Sequence, residues 1–162
     1  MTDKILAREV LGDRVASIKK QQGRLVFTNG CFDLLHVGHV RYLQAARAEG
    51  DVLLVAINSD RSVAHIKGAD RPIVPQGDRA EIVAALACVD YVTLFDEPDP
   101  LVTIQMVEPD ILVKGADWKA DAIVGKGWVE ERGGRVVRIP LTEGSSTSGL
   151  IEKILRMHCK GS

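Results

Sequence analysis

Cysteine is scarce in this chain. Cys31, Cys88 and Cys159 are odd in number, far apart in sequence and form no CxxC pair. That excludes a disulfide framework and a thiolate zinc site, and it fits a reducing compartment. Aromatic residues make up only 4%, too few for the stacking platforms that single-stranded nucleic acids need. Neither sign of charge dominates: 21 Lys and Arg stand against 22 Asp and Glu, for a formal net charge of -1. No basic surface for a nucleic-acid partner is therefore expected. No apolar run approaches the length of a membrane span and no signal peptide opens the chain, so no membrane partner is expected and the cytoplasm is the expected location. The GxGxxG fingerprint, the Walker pattern and the HExxH pair are all missing. Their absence argues against a dehydrogenase, a P-loop kinase and a zincin, and no protein-held metal is expected.

What is present is an ordinary globular balance, 46% apolar and 27% charged over 162 residues. That suits one domain over 1–162, with a leading helix in 1–22 and a core from 24 to 157. Leu11, Val15 and Ile18 have helical spacing, and the leading helix is expected to be broken or bent near Gly12 and to pack outside the core. Leu25-Val26-Phe27 reads as a buried strand and Val52 to Ile57 as a second, apolar without alternation, as in a parallel sheet. Residues 61–77, with two prolines and two glycines, read as a loop. Asp78 then caps a helix through Ala87, Tyr91 to Phe95 forms a third strand, and Asp99-Pro100 opens a helix with Pro in its first turn. Ile111 to Val113 is a fourth strand, 117–134 is ambiguous, Arg135 to Ile139 is a fifth strand, and Ser148 to Met157 forms the last helix. This alternation predicts an α/β fold, a doubly wound Rossmann-like parallel sheet of about five strands.

The chain is organised around Thr28-Asn29-Gly30-Cys31-Phe32-Asp33-Leu34-Leu35-His36-Val37-Gly38-His39. This polar segment leaves the first strand and enters a helix, at the carboxyl edge where open α/β sheets hold ligands. Two imidazoles, Gly38 and a helix N-terminus converge there. Helix N-termini offer free N–H groups to anions, imidazole donates to phosphate oxygens, and glycine lets a phosphate approach the backbone. The alternatives for His36 and His39 are plain capping or surface residues.

His36-Val37-Gly38-His39 resembles the HxGH signature of the nucleotidyltransferase superfamily, and Thr142 to Ser148 resembles that superfamily's second phosphate-binding motif at the start of the last helix. Further stretches narrow the resemblance: 26–33, 55–60, Lys67-Gly68 with Arg71-Pro72, 88–90 and 109–117. Together they look like the ADP-heptose synthase adenylyltransferases, that is, D-glycero-β-D-manno-heptose 1-phosphate adenylyltransferases, in their stand-alone form. The likeness runs from about Gly23 to about Met157.

The resemblance implies roles. His36, His39 and Lys67 are the catalytic candidates, with Lys67 and Arg71 in a lid over the triphosphate. Phe32, Gly38, Lys114, Gly115, Asp117, Ser146, Thr147 and Ser148 are the nucleotide-binding candidates, and Trp118 flanks the same pocket. Asn29, Asp33, Asp60 and Arg71 are the candidates for the sugar phosphate. Each has a plainer alternative: Ser146 to Ser148 as a helix cap, Lys67 and Arg71 as solvated charges, Asp33 and Asp60 as structural caps, and Lys114 as a turn residue. Cys31 stands where many superfamily members carry Ser or Thr. Leu141 stands where cytidylyltransferases often carry Arg, which argues for ATP over CTP.

The implied reaction moves AMP from ATP to a sugar 1-phosphate and releases pyrophosphate, with Mg²⁺ carried by the ATP. The phosphate is already a nucleophile, so no general base is needed. The protein's task is to position two anions and to stabilise charge at the α-phosphate. The implied partners are ATP, the sugar phosphate and a second copy of the chain in a homodimer. A glycerol-3-phosphate cytidylyltransferase, an FMN adenylyltransferase and a non-enzymatic nucleotide-binding regulator are the other readings.

Overall fold

The computed structural model describes residues 3–140, 142, 144 and 146–158. Leu141, Glu143, Ser145 and Cys159 lie outside the described residues. Five strands form one sheet: β1 Leu25–Gly30, β2 Val52–Asn58, β3 Tyr91–Phe95, β4 Ile111–Gly115 and β5 Arg135–Ile139. Every strand pair is parallel and the order is β3-β2-β1-β4-β5. The helices are α1 Arg8–Lys20, α2 Val37–Ala48, α3 Asp60–Lys67, α4 Gln76–Ala84, α5 Leu101–Val107, α6 Lys126–Glu130 and α7 Thr147–His158.

The central strands are apolar through Leu25–Phe27, Val52–Ile57 and Ile111–Val113 because both faces are covered there. Val26, Leu53, Val55, Ile57 and Val113 point to one side and pack with Leu43 and Ala46 of α2 and Ala80 and Val83 of α4. Leu25, Phe27, Leu54, Ala56 and Leu112 point to the other and pack with Leu11, Val15 and Ile18 of α1, Ile104 and Val107 of α5, and Val129 of α6. Gly50 enters this packing so closely that a Cβ there would stand 2.6 Å from Val26 and 2.8 Å from the Arg24 carbonyl. Among the described residues no helix is long and apolar enough to cross a membrane.

Several element boundaries differ from the sequence expectation. α1 runs unbroken through Gly12, because burial of Leu11, Val15 and Ile18 outweighs the cost of one exposed glycine. Residues 61–77 are not one loop. Ser59 caps α3 by accepting the Ser62 N–H at 3.1 Å, and the helix ends where Gly68 takes φ +105°. α4 starts at Gln76 after Pro75, not at Asp78, and stops at Ala84. Pro100 is the cap of α5 and not its first turn, with Asp99 accepting the Leu101 N–H at 2.9 Å. The ambiguous stretch holds a 3-10 turn at Ala120–Ala122 and α6.

Order along the sheet sets the site. The chain winds outward from β1 to β3, then returns to the other side of β1 for β4 and β5. Such a reversal leaves a crevice at the carboxyl ends of the two inner strands. Here the β1–β4 register holds only Val26↔Ile111 and Phe27↔Leu112, against six partners between β1 and β2. Beyond Phe27 the two backbones no longer pair, and the Lys114 side chain bridges them through Asn29.

Candidate active site

A cavity of about 410 Å³ opens over that crevice. Asn29, Cys31, Phe32 and Asp33 line it from the exit of β1, and His36, Gly38, His39 and Tyr42 from the start of α2. Lys67 and Arg71 reach it from the α3 side, Lys114, Gly115, Asp117 and Trp118 from the end of β4, and Thr142 with Ser146 to Ser148 from the start of α7. The structure thus brings the expected residues to one place, with the exception of Asp60.

His36 caps α2 in an extended conformation, and His39 is the third residue of that helix. The His36 N–H donates to His39 Nδ1 at 3.4 Å. That spends the Nδ1 lone pair, so the neutral His39 ring carries its proton on Nε2. The two rings stack with centroids 3.9 Å apart, and Phe32 stands 5.4 Å from His39. Phe32 reaches this place by taking φ +47°, a left-handed conformation uncommon for a bulky residue and concentrated at functional turns. Burial, helped by the neighbouring His36, pulls the His39 pKa down to about 4, and burial also lowers that of His36. Both are neutral donors at pH 7. His36 Nδ1 is shielded from solvent and, among the described residues, is the one buried side-chain nitrogen or oxygen without a hydrogen-bond partner.

Asp33 is almost wholly buried, and its oxygens are filled from within the protein. Oδ1 accepts the N–H groups of Ile73 and Val74, each at 2.9 Å, and Oδ2 receives Arg71 Nε and Nη2 at 2.7 Å. Burial would raise the Asp33 carboxyl pKa, but these donors outweigh it and hold it below the usual range. Such a carboxylate has little capacity left for sugar hydroxyls, and it pins the segment that sequence reading made a lid.

Asp60 opens α3 and pairs with Arg79 Nη2 at 2.8 Å instead of facing the cavity. Arg79 is fully buried. Its Nε donates to the Val74 carbonyl at 2.9 Å and its Nη1 to the Cys31 carbonyl. One guanidinium thus ties together the exit of β1, the 68–75 loop and the start of α3. Sequence reading missed Arg79. The available signal was its place beside Ala80 and Val83 on a face that must be buried.

At the far wall, Lys114 is 7% exposed and donates to Asn29 Oδ1. Its Nζ lies 5.8 Å over the Trp118 ring. Burial lowers its pKa to about 8. Tyr42, also missed, shares a 2.8 Å hydrogen bond with Thr28, and burial raises its phenol to about 12. At the rim, Ser146 Oγ accepts the Gly149 N–H at 3.0 Å, and its proton stays free to donate. Thr147 donates to the Leu34 carbonyl at 3.2 Å, tying α7 to the loop ahead of His36.

The family described as cytidylyltransferase-like matches residues 27–152. The chain is 50% identical over 155 residues to the bifunctional protein HldE of Trichlorobacter lovleyi, covering 96% of this chain and 32% of that protein. It is 52% identical to the protein of the same name from Syntrophotalea carbinolica, covering 98% and 32%. The chain therefore spans about a third of the length of these curated relatives. Among solved structures it is similar to a lipopolysaccharide core biosynthesis protein from Thermoplasma volcanium, at 31% identity and a TM-score of 0.62, covering 76% of this chain and 99% of that one.

Proposed function

This chain belongs to the cytidylyltransferase-like family of nucleotidyltransferases, and from that we propose that it moves AMP from ATP to D-glycero-β-D-manno-heptose 1-phosphate. The products are ADP-heptose and pyrophosphate, a step toward a lipopolysaccharide core precursor. The observation that carries the reading is the neutral His36–His39 stack at the N-terminus of α2, in a cavity also lined by Lys67, Arg71 and Lys114.

In this reaction a phosphate oxygen of the sugar attacks the α-phosphorus, the new P–O bond forms in line, and the bond to the β-phosphate oxygen breaks. His39 Nε2–H and the α2 backbone N–H groups donate to the oxygens that gain charge. Lys67 and the α7 start, with Ser146 Oγ, hold the leaving pyrophosphate. Arg71, aimed by Asp33, faces the acceptor's phosphate. Gly115 and Asp117 hold the nucleoside beside Trp118.

Mg²⁺ fits this site as a passenger on ATP. Of the two carboxylates among the described residues that line the cavity, Asp33 is filled by four donors, which leaves Asp117 to reach the ion. The ion supplies charge neutralisation on the phosphates when bound. The same reading makes the chain a cytoplasmic homodimer of a single domain, and light scattering tests the dimer.

The deciding experiment is a panel of ATP and CTP against heptose 1-phosphate and glycerol 3-phosphate, read as pyrophosphate release. The expected best pair is ATP with the heptose phosphate. A win for CTP with glycerol 3-phosphate overturns the substrate reading, and no release with any pair overturns the enzyme.

A further inference from the structure

We propose that Lys114 is a further catalytic residue, its ammonium donating to the α-phosphate that is transferred. The proposal rests on the nucleotide reading above and adds a contact to it.

A buried charge ordinarily has an opposite charge beside it, because desolvation is costly. Lys114 is the exception in this cavity. Arg71 is paired with Asp33, whereas no carboxylate among the described residues stands within ion-pair reach of Lys114 Nζ. Its neighbours are one amide oxygen and one indole face. An ammonium has three N–H donors and Asn29 takes one, which leaves two for the cavity. A neutral base or ribose does not offset the cost of this charge, and an anion does.

Position selects which anion. Lys114 sits two residues past the last β1–β4 pair, Phe27↔Leu112, and its side chain spans the gap to Asn29. On its β4 side come Gly115, Asp117 and Trp118, which the reading above gives to the nucleoside. Toward α2 come His39 and the helix N-terminus, which the same reading gives to the phosphates. The group between nucleoside and tail is the α-phosphate. Arg71 and Lys67 approach from the α3 side and serve the other anions.

AMP and adenosine differ by that one phosphate, so the test compares their affinities by titration calorimetry. The variants are Lys114→Met, which keeps the aliphatic stem, and Lys114→Arg, which keeps the charge, each with a thermal melt. Wild type is expected to prefer AMP by about tenfold or more, the usual size of a charge-assisted contact. Lys114→Met should lose that preference while holding adenosine as before, and Lys114→Arg should regain part of it. In turnover, Lys114→Met should lower kcat with little change in the KM of the acceptor. An unchanged AMP-to-adenosine ratio in Lys114→Met overturns the proposal. So does an equal loss for both ligands, which makes Lys114 a nucleoside or structural residue, and so does a loss confined to the acceptor's KM. If wild type binds neither ligand nor ATP, the nucleotide reading falls and this proposal with it.

Discussion

Asp33 holds Arg71 through two contacts of 2.7 Å, to Nε and Nη2, so the guanidinium reaches the cavity already aimed. The same carboxylate accepts the N–H groups of Ile73 and Val74. The loop after α3 is therefore anchored before any ligand arrives, and its anchor is a residue that sequence reading gave to the sugar.

Replacing Asp33 with Asn is expected to free this loop. The amide keeps the shape but loses the charge, and leaving these donors poorly satisfied costs about 1–3 kcal/mol. Hydrogen exchange at Ile73 and Val74 should be slow in the ligand-free wild type and faster in the variant. Equal rates in both proteins would show that Asp33 is not the anchor.

Replacing Arg79 with Ala removes the partner of Asp60 and strands the carbonyls of Cys31 and Val74. Asp60 is 44% exposed and is left to water, but each stranded carbonyl costs about 1–3 kcal/mol, so the variant should be clearly destabilised. Urea unfolding checks this. Arg79→Lys should not restore stability, since one ammonium on a shorter stem cannot reach three separate acceptors.

His39→Ala is expected to fold as wild type and to turn over about 10²–10³ times more slowly, the usual effect of removing one donor to developing charge. Kinetics beside a thermal melt decide it. Activity within a few-fold of wild type would remove His39 from the mechanism.

Stability should fall as pH drops from about 6.5 to about 4. His39 titrates at about 4 in the folded chain and near 6.5 when unfolded. Between these values the unfolded chain binds more protons, so unfolding free energy rises with pH there. His36, also lowered by burial, adds to the same slope. Asp33, whose pKa is lowered, stabilises above the ordinary carboxylate range and adds its loss at lower pH. Denaturant midpoints at pH 7, 5.5 and 4.5 measure the slope, and His39→Gln should flatten it.

The sheet was legible in the sequence because its strands are buried on both faces, so Val52 to Ile57 reads as strand with no competing pattern. α3 was not legible. Gly68, Pro72 and Pro75 made 61–77 read as a loop, and a single serine after a strand does not announce the helix that Ser59 caps. The residues that meet in the cavity were legible where a motif ties them to a strand end, as for His36, His39 and Lys114. The ion pairs of Asp33 and Asp60 were not legible because their partners, Arg71 and Arg79, lie 38 and 19 positions later in the chain. Tyr42 and Arg79 looked like ordinary helix positions, since nothing local marks a polar side chain that turns inward.

The short register between β1 and β4 divides the sheet into a three-stranded and a two-stranded leaf, stitched at Val26–Ile111 and Phe27–Leu112. A nucleotide lying across the crevice touches both leaves and acts as a further stitch. Since a ligand that binds only the folded chain adds about 2.7 kcal/mol at a hundred times its dissociation constant, saturation should tighten this seam more than any other part of the sheet. Amides of β4 and β5, slow to exchange in the bound state, should be the first to open when the nucleotide leaves.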